Sequence, residues 1–182
     1  DDSGWDGDYY LRAYYDDGKK MGSRESVQCR IDLLPQAFSV LAGLPDEERS
    51  RRALSFARAE LVDGKNRLVR LFTPSFSRAE THERPGYVMS YPEGVRENGG
   101  QYTHAAVWLA LAFLRAGDEK YARALADMLM PFERGERYKN EPYYMSADVY
   151  TNPAATGRGG WSLYTGTAGW FYRLLILISE QK

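Results

Sequence analysis

Two glycine-bearing polar segments of this chain each run straight into a strongly apolar helical pattern. The first, Arg96-Glu-Asn-Gly-Gly-Gln-Tyr-Thr-His104, leads into ten consecutive apolar residues at 105–114; the second, Gly159-Gly-Trp-Ser-Leu-Tyr-Thr-Gly-Thr-Ala-Gly-Trp170, leads into residues 170–178. A helix start presents N–H groups without intrahelical partners and the positive end of the dipole, and glycine lets an oxyanion approach the backbone. Two such starts, one with His104 and the other with Thr165 and Gly166, would together make a phosphate site. Hydroxyl, imidazole and backbone N–H all donate to phosphate oxygens, and none adds negative charge. Thr167 offers the same hydroxyl as Thr165, and the sequence does not separate them. The plainer reading of both segments is a capped turn, with His104 a capping or core residue.

Other reactive residue types carry less. Arg158, between Gly157 and Gly159, either binds an oxyanion or decorates a turn. Arg96 and Glu97, read from composition alone, are a solvated pair beside glycines. Asp16 and Asp17 sit in a turn signal, and Glu47 and Glu48 read as helix-start acids. His82, between Glu80 and Glu83, has no metal-like spacing to the other histidine, so no metal site is expected. Gly-x-Ser-x-Gly, Walker and dinucleotide signatures are absent.

The elements that must position these groups follow from periodicity. Residues 8–15 are β-prone and end at Asp16-Asp-Gly18. Ile31, Leu34, Phe38 and Leu41 recur at three, four and three, predicting an amphipathic helix closed by Gly43. Pro45-Asp-Glu-Glu48 opens a second helix through Leu54, Ala57 and Leu61, and the short join predicts an antiparallel hairpin. A second hairpin pairs residues 103–115, apolar on nearly every face and so expected to be buried all round, with an arm from Asp118-Glu119 to Pro131. A final buried helix is predicted at about 167–179. Residues 64–101 and 132–164 read as long loops, apart from a short strand at 68–72, and long ordered loops are often functional. The fold class is therefore all-α, about five helices in hairpins suggesting an α/α toroid, with a short β-prone N-terminal segment.

Composition narrows the partners. A chain of 182 residues, 43% hydrophobic and 14% aromatic, buries a core as one domain or part of a larger one. Its net charge of −1 gives no electrostatic ground for nucleic-acid or anionic-membrane binding. Fourteen tyrosines and four tryptophans suit sugar faces, where a ring stacks and a polar tip hydrogen-bonds; they serve a core equally well. Cys29 is the single cysteine, which permits a reducing compartment. No apolar run approaches the roughly 18 residues of a membrane span. With no initiator Met, the chain reads as cut from something longer.

A series of strings along the chain adds a resemblance. Asp6-Gly-Asp-Tyr-Tyr-Leu-Arg-Ala-Tyr-Tyr-Asp-Asp-Gly18, Cys29-Arg-Ile-Asp32, Leu71-Phe-Thr-Pro74, Pro85-Gly-Tyr87, the loop before His104, Glu141-Pro-Tyr143, Ala147-Asp-Val-Tyr150 and Thr156-Gly-Arg-Gly-Gly-Trp161 are weak singly. In this order and spacing the chain resembles glycoside hydrolase family 94, the inverting glycoside phosphorylases, and within it the phosphorylase-like domain of cyclic β-1,2-glucan synthases.

The resemblance implies an (α/α)6 barrel of which residues 1–182 are a single C-terminal fragment, slightly under half. It implies a parent enzyme that makes or breaks β-glucosidic bonds with inorganic phosphate as co-substrate and glucose 1-phosphate as donor or product, needing no cofactor. His104, Thr165 and Gly166 then match the family's phosphate-binding residues, and Arg96 and Glu97 the pair that contacts the acceptor sugar. Gln101, Tyr102, Tyr143 and Tyr164 are expected in the same cleft. The family's general acid is the Asp of a Trp-Asn-Asp motif upstream of these strings, and Trp5-Asp6-Gly7 is not that motif. No catalytic acid is therefore expected in this chain, which alone should be inactive. Its implied partners are a β-glucan or oligosaccharide, phosphate and the upstream part of the same polypeptide. A cyclic glucan synthase would place it on the cytoplasmic side of an inner-membrane parent. Ile31-Asp-Leu-Leu-Pro35 and Thr73-Pro-Ser-Phe-Ser77 depart from the commonest synthase strings, leaving a stand-alone β-1,2-oligoglucan phosphorylase open. A non-catalytic glucan-binding helical module is the rival from another class.

Overall fold

The computed structural model describes residues 2–79, 85–132 and 135–181, so His82 and its flanking glutamates lie outside the described residues. The helices are α1 (Leu33–Leu41), α2 (Glu47–Leu61), α3 (Thr103–Arg115), α4 (Glu119–Leu129), the single turn α5 (Gly135–Tyr138) and α6 (Thr165–Ser179). Aspartates start three of them. Asp32 accepts from Leu34 N at 2.8 Å, Asp46 from Arg49 N at 2.9 Å and Asp118 from Tyr121 N at 3.0 Å. Each satisfies an N–H that the helix itself leaves without a partner, typically worth about 1 kcal/mol. Gly117 closes α3 with φ +87°, a backbone that lets α4 turn straight back.

Strands are short and serve as clamps. Among the described residues β1 (Ala13–Tyr14) pairs with β2 (Lys20–Met21), β3 (Ile31–Asp32) with β6 (Phe72–Thr73), β4 (Val62–Asp63) with β5 (Leu68–Val69), and β7 (Gln101–Tyr102) with β8 (Asp148–Val149). Ile31 therefore belongs to a strand rather than to the helix that its spacing predicts. Its backbone is claimed by Thr73, forty-two residues on. The long segments are loops only in name: both carry clamping strands.

α3 packs against α1, α4 and α6, and α1 packs against α2. Thus α1, α3 and α6 stand in a row with α2 and α4 behind them, an arc of a helical toroid. α3 carries alanines at 105, 106, 110 and 112, all fully buried, so neighbours approach it closely. Backbone bonds tie the helix starts at one rim. Leu33 N donates to Leu71 O at 2.8 Å, Leu71 N to Gly100 O at 2.9 Å, Thr103 N to Ala147 O at 2.9 Å and Ala147 N to Trp161 O at 2.7 Å. These bonds satisfy buried loop backbone, which otherwise costs about as much as a lost hydrogen bond.

α6 departs from expectation in two ways. It begins at Thr165, two residues early, and it is buried on one face only. Thr167, Phe171, Leu174 and Ile178 face the core, whereas Tyr172 is 67% exposed. α3 and α4 pack against it.

Asp32 carries a pH consequence. Burial pushes its carboxyl up to about 6, against the opposing pull of Arg12 and the Leu34 N–H. A folded-state value above the ordinary 3.8 means that folding favours the protonated form. That contribution is complete below about pH 4 and is lost as pH rises through 6, a change of about 3 kcal/mol. Asp32→Asn keeps an acceptor for Leu34, so it should stabilise the protein at pH 7–8 and match it near pH 4. Denaturation midpoints across that range test this, and a difference independent of pH refutes it.

Candidate active site

His104 is the second residue of α3, and the structure aims it at the start of α6. A Cβ built on Gly166 would lie 3.6 Å from His104 Cε1 and 3.9 Å from Nδ1. Residues sixty-two apart in sequence therefore meet at two helix N-termini. These termini differ from those of α2 and α4, which neutralise themselves with an aspartate cap and a first-turn glutamate. α3 and α6 have neither a side-chain cap bond nor an acidic residue in the first turn; the Thr103 N–H is taken by Ala147 O, and no carboxylate of their own first turns opposes the two dipoles. Thr165 and Gly166 are exposed, whereas Thr167 is fully buried with its hydroxyl turned inward. Of the two threonines that the sequence leaves open, only Thr165 is exposed.

His104 is braced on its other side. Its ring centroid is 4.4 Å from Trp108, one turn on, and 6.1 Å from Trp170 of α6, while Tyr102 stacks parallel at 6.4 Å. This desolvation lowers its pKa from the ordinary 6.5, so the imidazole is neutral at pH 7. Its Nε2 is buried without a partner, leaving the Nδ1 edge to face Gly166.

Arg96 and Glu97 lie on the loop before β7. Arg96 Nε donates to Glu97 Oε2 at 3.3 Å, and the guanidinium lies 5.5 Å from the Tyr91 ring and 5.1 Å from the Trp161 ring. Both side chains are mostly buried, so this is no solvated pair. Glu97, Tyr102 and Trp108 line one cavity of about 380 Å³, reached also by Arg12, Asp32 and Tyr87.

Gln101 is not in that cleft. It is fully buried, its Oε1 accepts from Val69 N at 2.9 Å and its Nε2 donates to Thr103 Oγ1 at 3.4 Å. The strand alternation at β7 turns Gln101 inward and Tyr102 outward, so its reading as a sugar contact is corrected to a clamp behind the site. Tyr164, 41% exposed, directly precedes α6. Tyr143 is exposed, with its ring against Tyr144. Arg158 is exposed in a turn closed by its own N–H to Ala155 O at 3.0 Å. Among the described residues no three His, Cys, Asp or Glu side chains gather as a metal site.

The catalytic-domain profile of the Glycosyl hydrolase 94 superfamily matches residues 1–178. The chain belongs to that family. It is 51% identical over 177 residues to a cyclic beta-(1,2)-glucan synthase, NdvB, of Rhizobium meliloti, covering 94% of this chain and 6% of that protein. It is 30% identical to a solabiose phosphorylase of Paenibacillus borealis (94% of this chain, 22% of the relative). It is 29% identical to an N,N'-diacetylchitobiose phosphorylase of Vibrio proteolyticus (92% and 21%). The chain thus spans about a fifth or less of these relatives.

Within this glycosyl hydrolase 94 arm, two polar residues escape a reading by motif. Asn98 is fully buried, accepts from Phe76 N at 2.8 Å and donates to Phe76 O at 2.9 Å and Tyr91 O at 3.0 Å. Asp148 is equally buried, between the two helix-entry loops. Both stand in strings that carry the family resemblance, Asn98 in the loop before His104 and Asp148 in Ala147-Asp-Val-Tyr150, but neither reads there as a site residue.

Proposed function

We propose that the whole protein is an inverting glycoside phosphorylase, acting on β-glucosidic bonds with inorganic phosphate and yielding, or consuming, glucose 1-phosphate. One observation carries this reading: His104 and the Thr165–Gly166 turn meet at two helix starts that have no side-chain cap and no first-turn acid. Phosphate would bind there with donors from His104 Nδ1, Thr165 Oγ1 and the Gly166 N–H. Its oxygen attacks the anomeric carbon from one face while a general acid on the other protonates the departing glycosidic oxygen, so the C–O bond to the leaving sugar breaks as the C–O bond to phosphate forms. The acid is assigned to the upstream polypeptide, as the family resemblance implies. Arg96 and Glu97 would hold the sugar that leaves, the carboxylate accepting from its hydroxyls.

The 51% identity to a cyclic β-(1,2)-glucan synthase favours a β-1,2-glucan substrate. With it go a cytoplasmic-side location, an inner-membrane parent and no cofactor beyond phosphate. The phosphorylase relatives keep a stand-alone oligoglucan phosphorylase as the second reading. The test is glucose 1-phosphate release by the whole protein from β-1,2-gluco-oligosaccharides, which should require phosphate. Glucan binding indifferent to phosphate, without turnover, defeats the reading. Glu97→Ala should raise the KM for the accepting sugar in the synthetic direction roughly 10- to 100-fold, the usual worth of hydrogen bonds to a charged group. An unchanged KM excludes Glu97 from the sugar site.

A further inference from the structure

We propose that Asp148 is a positioning residue that sets the sugar-side loop and the phosphate-side loop in register with each other. The proposal rests on the phosphorylase reading for what the two loops bind, and on geometry for the role of Asp148 itself.

Asp148 lies in β8, opposite Tyr102 of β7, with no exposed surface. Its two carboxylate oxygens face different loops. Oδ2 accepts from the backbone N–H of Arg96 at 3.3 Å, and Oδ1 from that of Trp161 at 3.4 Å. The first N–H belongs to the residue whose guanidinium pairs with Glu97; the second lies four residues before Thr165. The backbone of the same strand continues the splint, with Asp148 O accepting from Gly160 N at 2.8 Å and Ala147 bonded to both Thr103 and Trp161.

The fit around the carboxylate is close. A Cβ at Gly160 would stand 2.1 Å from Asp148 Oδ1, so only glycine lets that loop pass. On the other side Arg96 adopts φ +49°, a left-handed backbone that side-chain-bearing residues rarely take, and its N–H points at Oδ2 in that conformation. Two acceptor oxygens on one short side chain are what two N–H groups from opposite sides require; an amide supplies one. A residue needed only to fill this space would be apolar, since a buried carboxylate costs solvation. Burial raises the Asp148 carboxyl above its ordinary value, with the Arg96 guanidinium and the two backbone N–H groups opposing. The energetic penalty fits a group kept for geometry at the junction of the two loops.

Two variants of the whole protein test this, Asp148→Asn and Gly160→Ala. Asp148→Asn conserves volume and one acceptor, so melting temperature should move by only a few degrees while one loop is released. The KM for phosphate or for oligosaccharide, or both, should rise about tenfold with a smaller change in kcat per folded enzyme. Gly160→Ala displaces the carboxylate from the Trp161 side and should weaken phosphate more than sugar. Calorimetric affinities for inorganic phosphate and for a β-1,2-gluco-oligosaccharide, measured on the same samples, should fall in parallel with the KM changes. Wild-type KM values and affinities in both variants overturn the role of Asp148, whatever happens to stability. An unaltered protein with no phosphate-dependent turnover defeats the phosphorylase reading instead, and the calorimetric affinities of the variants still decide Asp148.

Discussion

His104→Ala in the whole protein is expected to lower phosphorolysis by about 10²–10³-fold, the usual loss when one preorganised donor to a reacting oxyanion is removed. The loss should appear in the phosphate dependence first, because the Nδ1 edge faces Gly166 rather than the Glu97 cavity. Stability should suffer much less. The ring packs on Trp108 at 4.4 Å, and such a contact is worth about 1 kcal/mol. Part of that is returned when the buried, unpartnered Nε2 is removed. A purely structural histidine would show the reverse, a large fall in melting temperature with normal kinetics once folded enzyme is counted. Unchanged phosphate dependence in the variant removes His104 from the site. The lowered pKa adds a sign: above its usual titration range the ring stays neutral, so its contribution to phosphate binding should be flat from pH 7 upward.

The second large effect concerns the polypeptide itself. Residues 1–182 alone should release no measurable glucose 1-phosphate, whereas the same residues preceded by their natural upstream sequence should. A general acid contributes about 10²–10⁴-fold, and the proposed function assigns that acid to the upstream polypeptide. Apart from the candidate site, Phe38, Leu41, Trp108, Trp170 and Leu177 line an open apolar groove of about 440 Å³ on the row formed by α1, α3 and α6. Far-UV circular dichroism on the short chain separates inactivity from failure to fold. Phosphate-dependent turnover by residues 1–182 would overturn the assignment of the acid to the upstream region.

Much of the scaffold was legible because its signals are local. The limits of α2 and α4 follow from Asp46 and Asp118, each an acceptor at the right offset from the N–H it caps, and from Gly117, which ends α3. α3 was readable as a centre because an unbroken apolar run has no solvent face to offer. The meeting of His104 with Gly166 follows two glycine-bearing helix starts that the sequence shows directly.

What the tertiary structure alone decided has one physical cause: the partner in each case lies far away along the chain. Ile31 satisfies a helical spacing, yet Thr73 takes its backbone into a two-residue strand too short to carry a period. α6 is apolar in composition and half-exposed in fact, because burial depends on which neighbours reach it. Gln101 and Tyr102 are adjacent, and only the pairing of β7 with β8 turns one into the core and the other toward the cavity. Thr165 and Thr167 are chemically identical, and the rotation of α6 against its neighbours buries Thr167 and leaves Thr165 exposed, next to the Gly166 that faces His104. Asp148 stands in a string that marks the family but not its own role, and its two oxygens meet their partners only when loops fifty-two residues before it and thirteen after it close on the same carboxylate.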